Sequence, residues 1–457
     1  MVAGMRHPAS FRDPSGFVFL RDGHILRQVS SPYATKWQAV RSSGFLQEAV
    51  SRGWLLPFEE LPASQGSDQM AVATLRPEQL PFVSYPYEWS FGQLKDAALL
   101  TLDLATLASA HGLSLKDASA YNVQFLRGRP VFVDTLSFEP YVEGAPWIAY
   151  QQFCRHFLTP LALASKVDPD MARLSRDHID GIPLKLASRL LPWATRLDVG
   201  LASHIHLHAK GTDQVAGDAP SRRPTMSRDA LDVLLAHLRR TVEKLTWSPS
   251  GTTWGDYYSD TNYSPEARKA KQSLVMDYLG RVPRGKCFDL GANTGEFSRL
   301  ACEAGFDTYA CDFDPAVVER AYQWAKQTKE QRLTPLLLDL TNPSPSLGWA
   351  EEERDGFLDR AHGAVVMGLA LVHHLAIGNN VPLPMVADLF RRVGDWAVVE
   401  FVPKEDSQVR RLLTSREDVF PDYCWPGFVE AFADRFDLVA SSRVGDSART
   451  LALFRGR

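Results

Sequence analysis

The run Phe288-Asp289-Leu290-Gly291-Ala292-Asn293-Thr294-Gly295 constrains this chain more than any other stretch. It ends a short apolar segment and opens a helix with Phe297, Leu300, Ala301 and Ala304 on one face and Gly305 as its stop. Glycine at 291 and 295 allows a tight turn and lets a ligand approach the backbone with no Cβ in the way. A strand–turn–helix of this kind belongs in a parallel sheet with helical crossovers, and the surrounding pattern agrees. Ser264-Pro265 reads as an N-cap with proline at the first helical position, and Ala267, Ala270, Leu274, Val275 and Tyr278 form the stripe behind it. The spacing then predicts strands over 286–290, 308–312, 335–340, 363–368 and 396–401. A last pair, 438–444 and 450–455, closes the sheet as a hairpin.

The second predicted strand ends in Asp312, placed to accept hydrogen bonds from both hydroxyls of a ribose, and Asp314-Pro315 caps the next helix. A dinucleotide site needs glycine at the third and sixth positions of GxGxxG, where this chain has Asn293 and Glu296. A glutamate at a helix N-terminus also repels a pyrophosphate. Asp289 instead suits a ligand that carries a sulfonium and an ammonium. Residues 264–402 resemble the class I S-adenosylmethionine-dependent methyltransferases. That resemblance implies cofactor binding by Asp289, Gly291, Ala292, Asn293, Gly295, Asp312, Phe313, Asp339 and Leu340, with Asp339 on the adenine amino group. The segment Leu369-Ala370-Leu371-Val372-His373-His374-Leu375 resembles the Leu-His-His-Leu stretch after the fourth strand of many members, and makes His374, with His373 second, the candidate catalytic residue. Glu400 and Phe401, with Tyr257, Tyr258 and Tyr263, are candidates for lining the acceptor pocket. The fourth strand lacks the Asn/Asp-Pro-Pro-aromatic segment of enzymes that methylate exocyclic base amines, which argues against a nucleic-acid substrate.

In the first half, an amphipathic helix over 92–110 leads to Asp117, then Asn122, then a hairpin (123–126 and 130–133) that ends in Asp134. That order resembles the protein-kinase and aminoglycoside-phosphotransferase active site, in which one aspartate orients the attacking hydroxyl while the asparagine and second aspartate hold magnesium. The resemblance implies an α+β, kinase-like domain with a possible magnesium-ATP site at Asp117, Asn122 and Asp134. The departures are a missing glycine-rich loop near 13–25, Asp134-Thr135-Leu136 in place of DFG, and Arg27 where a lysine is expected. The readings are therefore a specificity domain for a methyltransferase, an active kinase making the protein bifunctional, or a pseudokinase binding and regulatory module. His204-Ile205-His206-Leu207-His208 alternates like a strand; with no acidic or cysteine ligand nearby, it reads as a solvated edge and not as a metal site.

At 457 residues the chain is too long for one core. The division expected is 1–205 for the first domain, 206–245 for a linker and connecting helix, and 246–457 for a Rossmann-like α/β methyltransferase domain with a mostly parallel seven-stranded sheet. The polar, Pro/Gly-containing stretch 209–224 is the clearest linker, and the helix over 228–244 follows it. A net charge of −4 gives no whole-chain attraction to nucleic acid or anionic membrane. The scattered cysteines, a polar N-terminus and the lack of a long apolar run predict a cytoplasmic protein with free thiols. The whole chain resembles a bacterial methyltransferase family sometimes grouped with nodulation proteins. The acceptor expected is an oxygen or nitrogen of a small molecule, glycan or protein.

Overall fold

The computed structural model describes residues 5–211, 225–249, 264–414 and 417–457. Most of the expected linker lies outside these, as do Tyr257, Tyr258 and Tyr263. The chain divides into two compact units. One is Met1–Trp247 with Ser346–Arg354, and the other is Ser248–Pro345 with Asp355–Arg457.

The first unit begins with a five-stranded antiparallel sheet in the order β1-β2-β3-β5-β4. Its strands are β1 (Met5–Arg6), β2 (Gly16–Arg21), β3 (His24–Ser30), β4 (Phe58–Leu61) and β5 (Ala71–Pro77). Two short helices, Ala34–Ser42 and Phe45–Ser51, lie between β3 and β4. The long helix expected over 92–110 spans Phe91–Ala110, and it starts at a capping box in which Ser90 and Gln93 satisfy each other's backbone N–H. After it come β6 (Leu113–Leu115), the hairpin β7 (Val123–Leu126) and β8 (Arg129–Phe132), and β9 (Phe138–Pro140), which pairs with β6. The Arg228–Lys244 helix has the bounds that its leucine stripe predicts and packs on Phe91–Ala110, where Ser109 Oγ donates to Asp232 Oδ1 at 2.7 Å.

Residues 204–208 are helical, and the strand and the solvated edge expected there are not found. His204 and His206 are buried in a π-turn, with His204 between the Tyr150 hydroxyl and His237 at 2.7 Å each. Ser188 and Thr195 hold the two nitrogens of His206 at 2.8 Å. The alternating sequence mimicked a strand, whereas those distant partners stabilise both rings inside a helical turn.

Ser346–Arg354, which follows the third strand of the other unit's sheet in sequence, belongs to the first unit. Both Nε and a terminal nitrogen of Arg12 donate to Glu353 Oε1, at 3.0 and 2.7 Å. The Arg354 guanidinium lies 4.2 Å from the centre of the Tyr121 ring. Leu347 and Arg354 pair across the loop, and Gly348 holds φ +86 where a Cβ would meet that of Glu353 at 2.5 Å.

The second unit is built on one seven-stranded sheet in the order β12-β11-β10-β13-β14-β16-β15. The strands are β10 (Lys286–Leu290), β11 (Asp307–Asp312), β12 (Leu333–Leu337), β13 (Gly363–Gly368), β14 (Gly394–Phe401), β15 (Phe436–Arg443) and β16 (Thr450–Gly456). Every pairing is parallel except those of β16, which runs antiparallel to both neighbours. The core on one side of the sheet joins Val275, Tyr278 and Leu279 from the Pro265–Gly280 helix to Cys287, Val365, Met367, Val398, Leu451 and Leu453 from the strands. That strand order, with a single reversed strand next to the edge, is the class I methyltransferase sheet. The second unit therefore has the class I methyltransferase fold. The third strand ends earlier than its apolar pattern suggested, so Asp339 and Leu340 lie in the loop beyond it.

Candidate functional site

Parallel strands bring the ends of β10 and β11 side by side, with Asp289 opposite Ala310 and Leu290 opposite Cys311. The turn after β10 is fixed by backbone bonds from Gly291 N and Ala292 N to Cys311 O, at 2.8 and 3.0 Å. It needs three left-handed residues, Gly291 at φ +71, Asn293 at +50 and Gly295 at +79. Asparagine is among the side chains that tolerate this region, and glycine adopts it without strain. A Cβ at 291 would also stand 3.2 Å from Leu371 Cδ1, so the turn is closely backed by the loop after β13.

Two carboxylates flank the turn, both nearly inaccessible. Asp289 accepts from Ser298 Oγ at 2.5 Å. Burial lifts its carboxyl to about 7, against the opposing effects of Ser298 and of the Lys271 charge. Asp312 accepts from Asn293 N at 2.9 Å and Asp314 N at 3.0 Å, and burial raises it to about 6. Among the described residues neither forms an ion pair. Asp314 caps the Pro315–Thr328 helix by accepting from Ala316 N, while Phe313 between the two acids is half exposed. Glu296, the first residue of the Glu296–Glu303 helix, is neutralised by Arg268 at 2.7 and 2.6 Å. Asp339 turns one oxygen onto its own loop, accepting from Thr341 N at 2.9 Å and Thr341 Oγ1 at 2.6 Å.

The loops after β13 and β14 lie at the same end of the sheet. Glu400 near the end of β14 is fully buried and pairs with Lys271 at 2.7 Å. Arg449, also buried, donates from Nε to Asp406 Oδ2 at 2.8 Å, with Glu400 at 4.0 Å on its other side. Burial pulls the Lys271 ammonium below its ordinary range, against the pull of Glu400. Phe401 stacks on Tyr423 at 5.2 Å and joins an aromatic group with Trp425 and Phe428. His373 and His374 lie with ring centres 4.1 Å apart. The first is fully buried and the second partly so. Burial and the nearby Arg449 lower His374 to about 4, and burial with the neighbouring His374, Arg449 and Lys271 also lowers His373.

Ser298, Lys271, Asp406 and Arg449 were not singled out from the sequence. Lys271 could have been found, since it falls four residues after Ala267 and four before Val275, a charge on an otherwise apolar stripe. Arg449 sits in a hairpin turn and gives no such signal.

In the first unit Asp117, Asn122 and Asp134 do come together. Asp117 Oδ1 accepts from Gln152 at 2.8 Å and Ser119 N at 3.0 Å, and burial together with Asp134 raises its carboxyl. Asn122 donates to Ser137 Oγ at 3.3 Å. Asp134 is engaged at both oxygens, Oδ1 by Arg27 at 2.5 Å and Leu136 N at 3.0 Å, and Oδ2 by Ser137 Oγ at 2.5 Å. Arg27 thus neutralises the carboxylate that magnesium would need, and the cluster as it stands does not fit the ion.

No family model matches the chain. Among solved structures it is similar to the N-methyltransferase NodS from Bradyrhizobium japonicum WM9, with 13% identity, 42% of this chain and 98% of that one covered, and a TM-score of 0.31. It is also similar to the magnesium protoporphyrin IX methyltransferase ChlM from Synechocystis PCC 6803, at 18% identity, 44% and 92% coverage and a TM-score of 0.32. A third is the bifunctional kinase-methyltransferase WbdD, at 15% identity, 47% and 44% coverage and a TM-score of 0.29. Among curated proteins, the nodulation protein NoeA of Rhizobium meliloti (strain 1021) is 37% identical over 460 residues, covering 98% of this chain and 96% of its own. With the alignment spanning nearly the whole of both chains, the chain belongs to the NoeA family of nodulation proteins.

Proposed function

We propose that the second unit binds S-adenosylmethionine at the β10 and β11 ends and transfers its methyl group to an oxygen or nitrogen of a small-molecule, glycan or protein acceptor. The observation that carries this reading is the pair of buried acids without counter-ions, Asp289 and Asp312, on either side of a left-handed turn. Asp289 would face the cationic methionine portion, and Asp312 would accept from the ribose hydroxyls. Gly291, Ala292, Asn293 and Gly295 would supply the backbone cradle, with Phe313, Asp339 and Leu340 beside the adenine. When bound, the cofactor supplies an activated methyl group on sulfur. The chain's own residues position it, exclude water through the buried Glu400–Lys271–Arg449–Asp406 network, and hold the acceptor close enough for proximity to act. Calorimetry with S-adenosylhomocysteine tests the site: wild type binds, and Asp312→Ala loses most of the affinity.

For the first unit we propose a recognition module that confers specificity, its resemblance to kinases being one of order along the chain. The Arg27–Asp134 pair favours this over phosphotransfer, because it occupies the carboxylate that the chemistry needs. Its NoeA relative's name makes nodulation the process in which to seek the acceptor. Among the described residues no helix is long and apolar enough to cross a membrane.

A further inference from the structure

Between Arg189 and Leu207 the first unit turns large apolar side chains outward. Trp193 is 71% exposed, Leu197 and Val199 are 72% exposed, and Leu207 is 61% exposed. A cluster of this kind marks a surface from which water is displaced in use. The segment that carries it is anchored on its inner side. Leu191, Leu201 and Ile205 are buried, and Thr195 points inward onto His206 at 2.8 Å. Gly200 packs so closely on the Arg228–Lys244 helix that a Cβ there would stand 2.4 Å from Thr241 Oγ1. Asp198 caps the Val199–Leu201 turn by accepting from Leu201 N at 2.9 Å. The Trp193–Leu197 and Ala202–Leu207 turns pack on each other, which leaves the four exposed side chains on one outer patch.

The charge of this region runs against that of the chain. Residues 181–211 contain four bases, Lys185, Arg189, Arg196 and Lys210, and one acid, Asp198, whereas the whole protein carries a net charge of −4. Arg189 and Arg196 are exposed, and among the described residues neither forms an ion pair.

We propose that this patch seats the protein on the surface of an anionic lipid bilayer. Trp193, Leu197, Val199 and Leu207 enter the interface between headgroups and acyl chains, and Arg189 and Arg196 meet the lipid phosphates. Tryptophan, a rigid apolar ring with one polar N–H, is the side chain that suits headgroup depth. Arginine lays its stem along apolar surface and keeps a fork of donors for phosphate oxygens. The apolar side chains project singly, and a fluid bilayer receives such groups without a shaped pocket, whereas a specific protein interface needs complementary packing. A second copy would pair the patch with itself across a two-fold axis and set Arg189 and Arg196 against the same cations. The surface lies wholly in the first unit and rests neither on the cofactor reading nor on the recognition role proposed above.

The test floats the full-length protein on a density gradient with vesicles of mixed phosphatidylglycerol and phosphatidylcholine, or of phosphatidylcholine alone. Wild type should rise with the anionic vesicles at low salt and bind the neutral ones about tenfold or more weakly. Trp193→Ser combined with Leu197→Ser should weaken binding about 100-fold, roughly tenfold for each apolar side chain withdrawn from the interface. Because both residues are exposed, that variant should melt within about 2 °C of wild type. Arg189→Gln and Arg196→Gln should each weaken binding about fivefold at low salt and much less at high salt, where the charges are screened. A wild type that stays off the anionic vesicles, or binds neutral ones equally well, overturns the proposal. So does a double serine variant that floats like wild type, or one that melts well below it, which would mean that these side chains pack inside. A dimer in sedimentation velocity that the serine variant dissolves, with no flotation of wild type, overturns it in favour of a contact between copies.

Discussion

Each unit buries carboxylates, but Asp134 of the first and the pair Asp289 and Asp312 of the second have opposite partners. In the first unit Asp134 meets Arg27, and its remaining hydrogen-bonding capacity is taken by Leu136 N and Ser137. In the second, Asp289 and Asp312 have only a hydroxyl and backbone N–H groups, and both hold their protons more tightly than ordinary carboxylates. A buried acid with its cation in place is a finished structural element. A buried acid without one is held ready for a positive or proton-donating ligand. The difference teaches which of the two resembling motifs to trust as a site.

The strongest way to break the contrast is to remove the cation. Arg27→Met should lower the stability of the first unit by about 3–5 kcal/mol in denaturant unfolding, since it strands a buried carboxylate. Magnesium-ATP at millimolar concentration should leave the wild-type melting temperature unchanged; a rise would mean that the pair opens for a metal. Next in size, Asp312→Ala should weaken S-adenosylhomocysteine binding by about 2–4 kcal/mol in calorimetry through loss of two hydrogen bonds to an acceptor carboxylate. Unchanged binding would remove Asp312 from the site.

A pH series comes third. Asp289 is raised to about 7 and Asp312 to about 6, and the ligand favours both ionised. Affinity for S-adenosylmethionine should therefore be full above pH 7 and fall as pH drops through 7 and then 6, about tenfold per unit for each acid once protonated. The free protein responds with the opposite sign. Its folded-state carboxyls lie above their unfolded values, so the unligated fold loses stability as pH rises from about 4 to 7. Affinity independent of pH would mean that neither acid meets the ligand. The smallest effect belongs to Asp339, whose carboxylate caps its own loop. Asp339→Ala should change cofactor affinity by about 1 kcal/mol or less, and a larger loss would add the adenine contact to its role.

Much of the second unit could be read from the residues, because local and global signals agree there. The bounds of β10 and β13 match those drawn from apolar spacing, as do those of the Arg228–Lys244 helix in the first unit. The turn at 291–295 announces itself through glycine, whose conformational role is local. What escaped was decided by partners far away in sequence. His204 is helical and buried because Tyr150 and His237 receive it, and nothing in the alternating His-Ile-His-Leu-His run carries that information. Arg449 becomes part of a buried network only once β16 lies beside β14 and Asp406 caps the Ser407–Leu413 helix. The attachment of the tract 349–355, Trp-Ala-Glu-Glu-Glu-Arg-Asp, to Arg12 is equally invisible in the sequence.

That attachment bears on how the protein can be divided and inherited. A gene truncated after residue 247 would encode a first unit without Glu353 and Arg354, leaving Arg12 without its carboxylate and the Tyr121 ring without its cation. A gene starting there would carry those residues as an orphaned excursion. Recombination that exchanged one half for a foreign one would have to match sequences more than 300 positions apart at once, as the 341-residue separation of Arg12 and Glu353 shows. The two halves are therefore expected to travel between genomes as one cistron rather than as interchangeable cassettes.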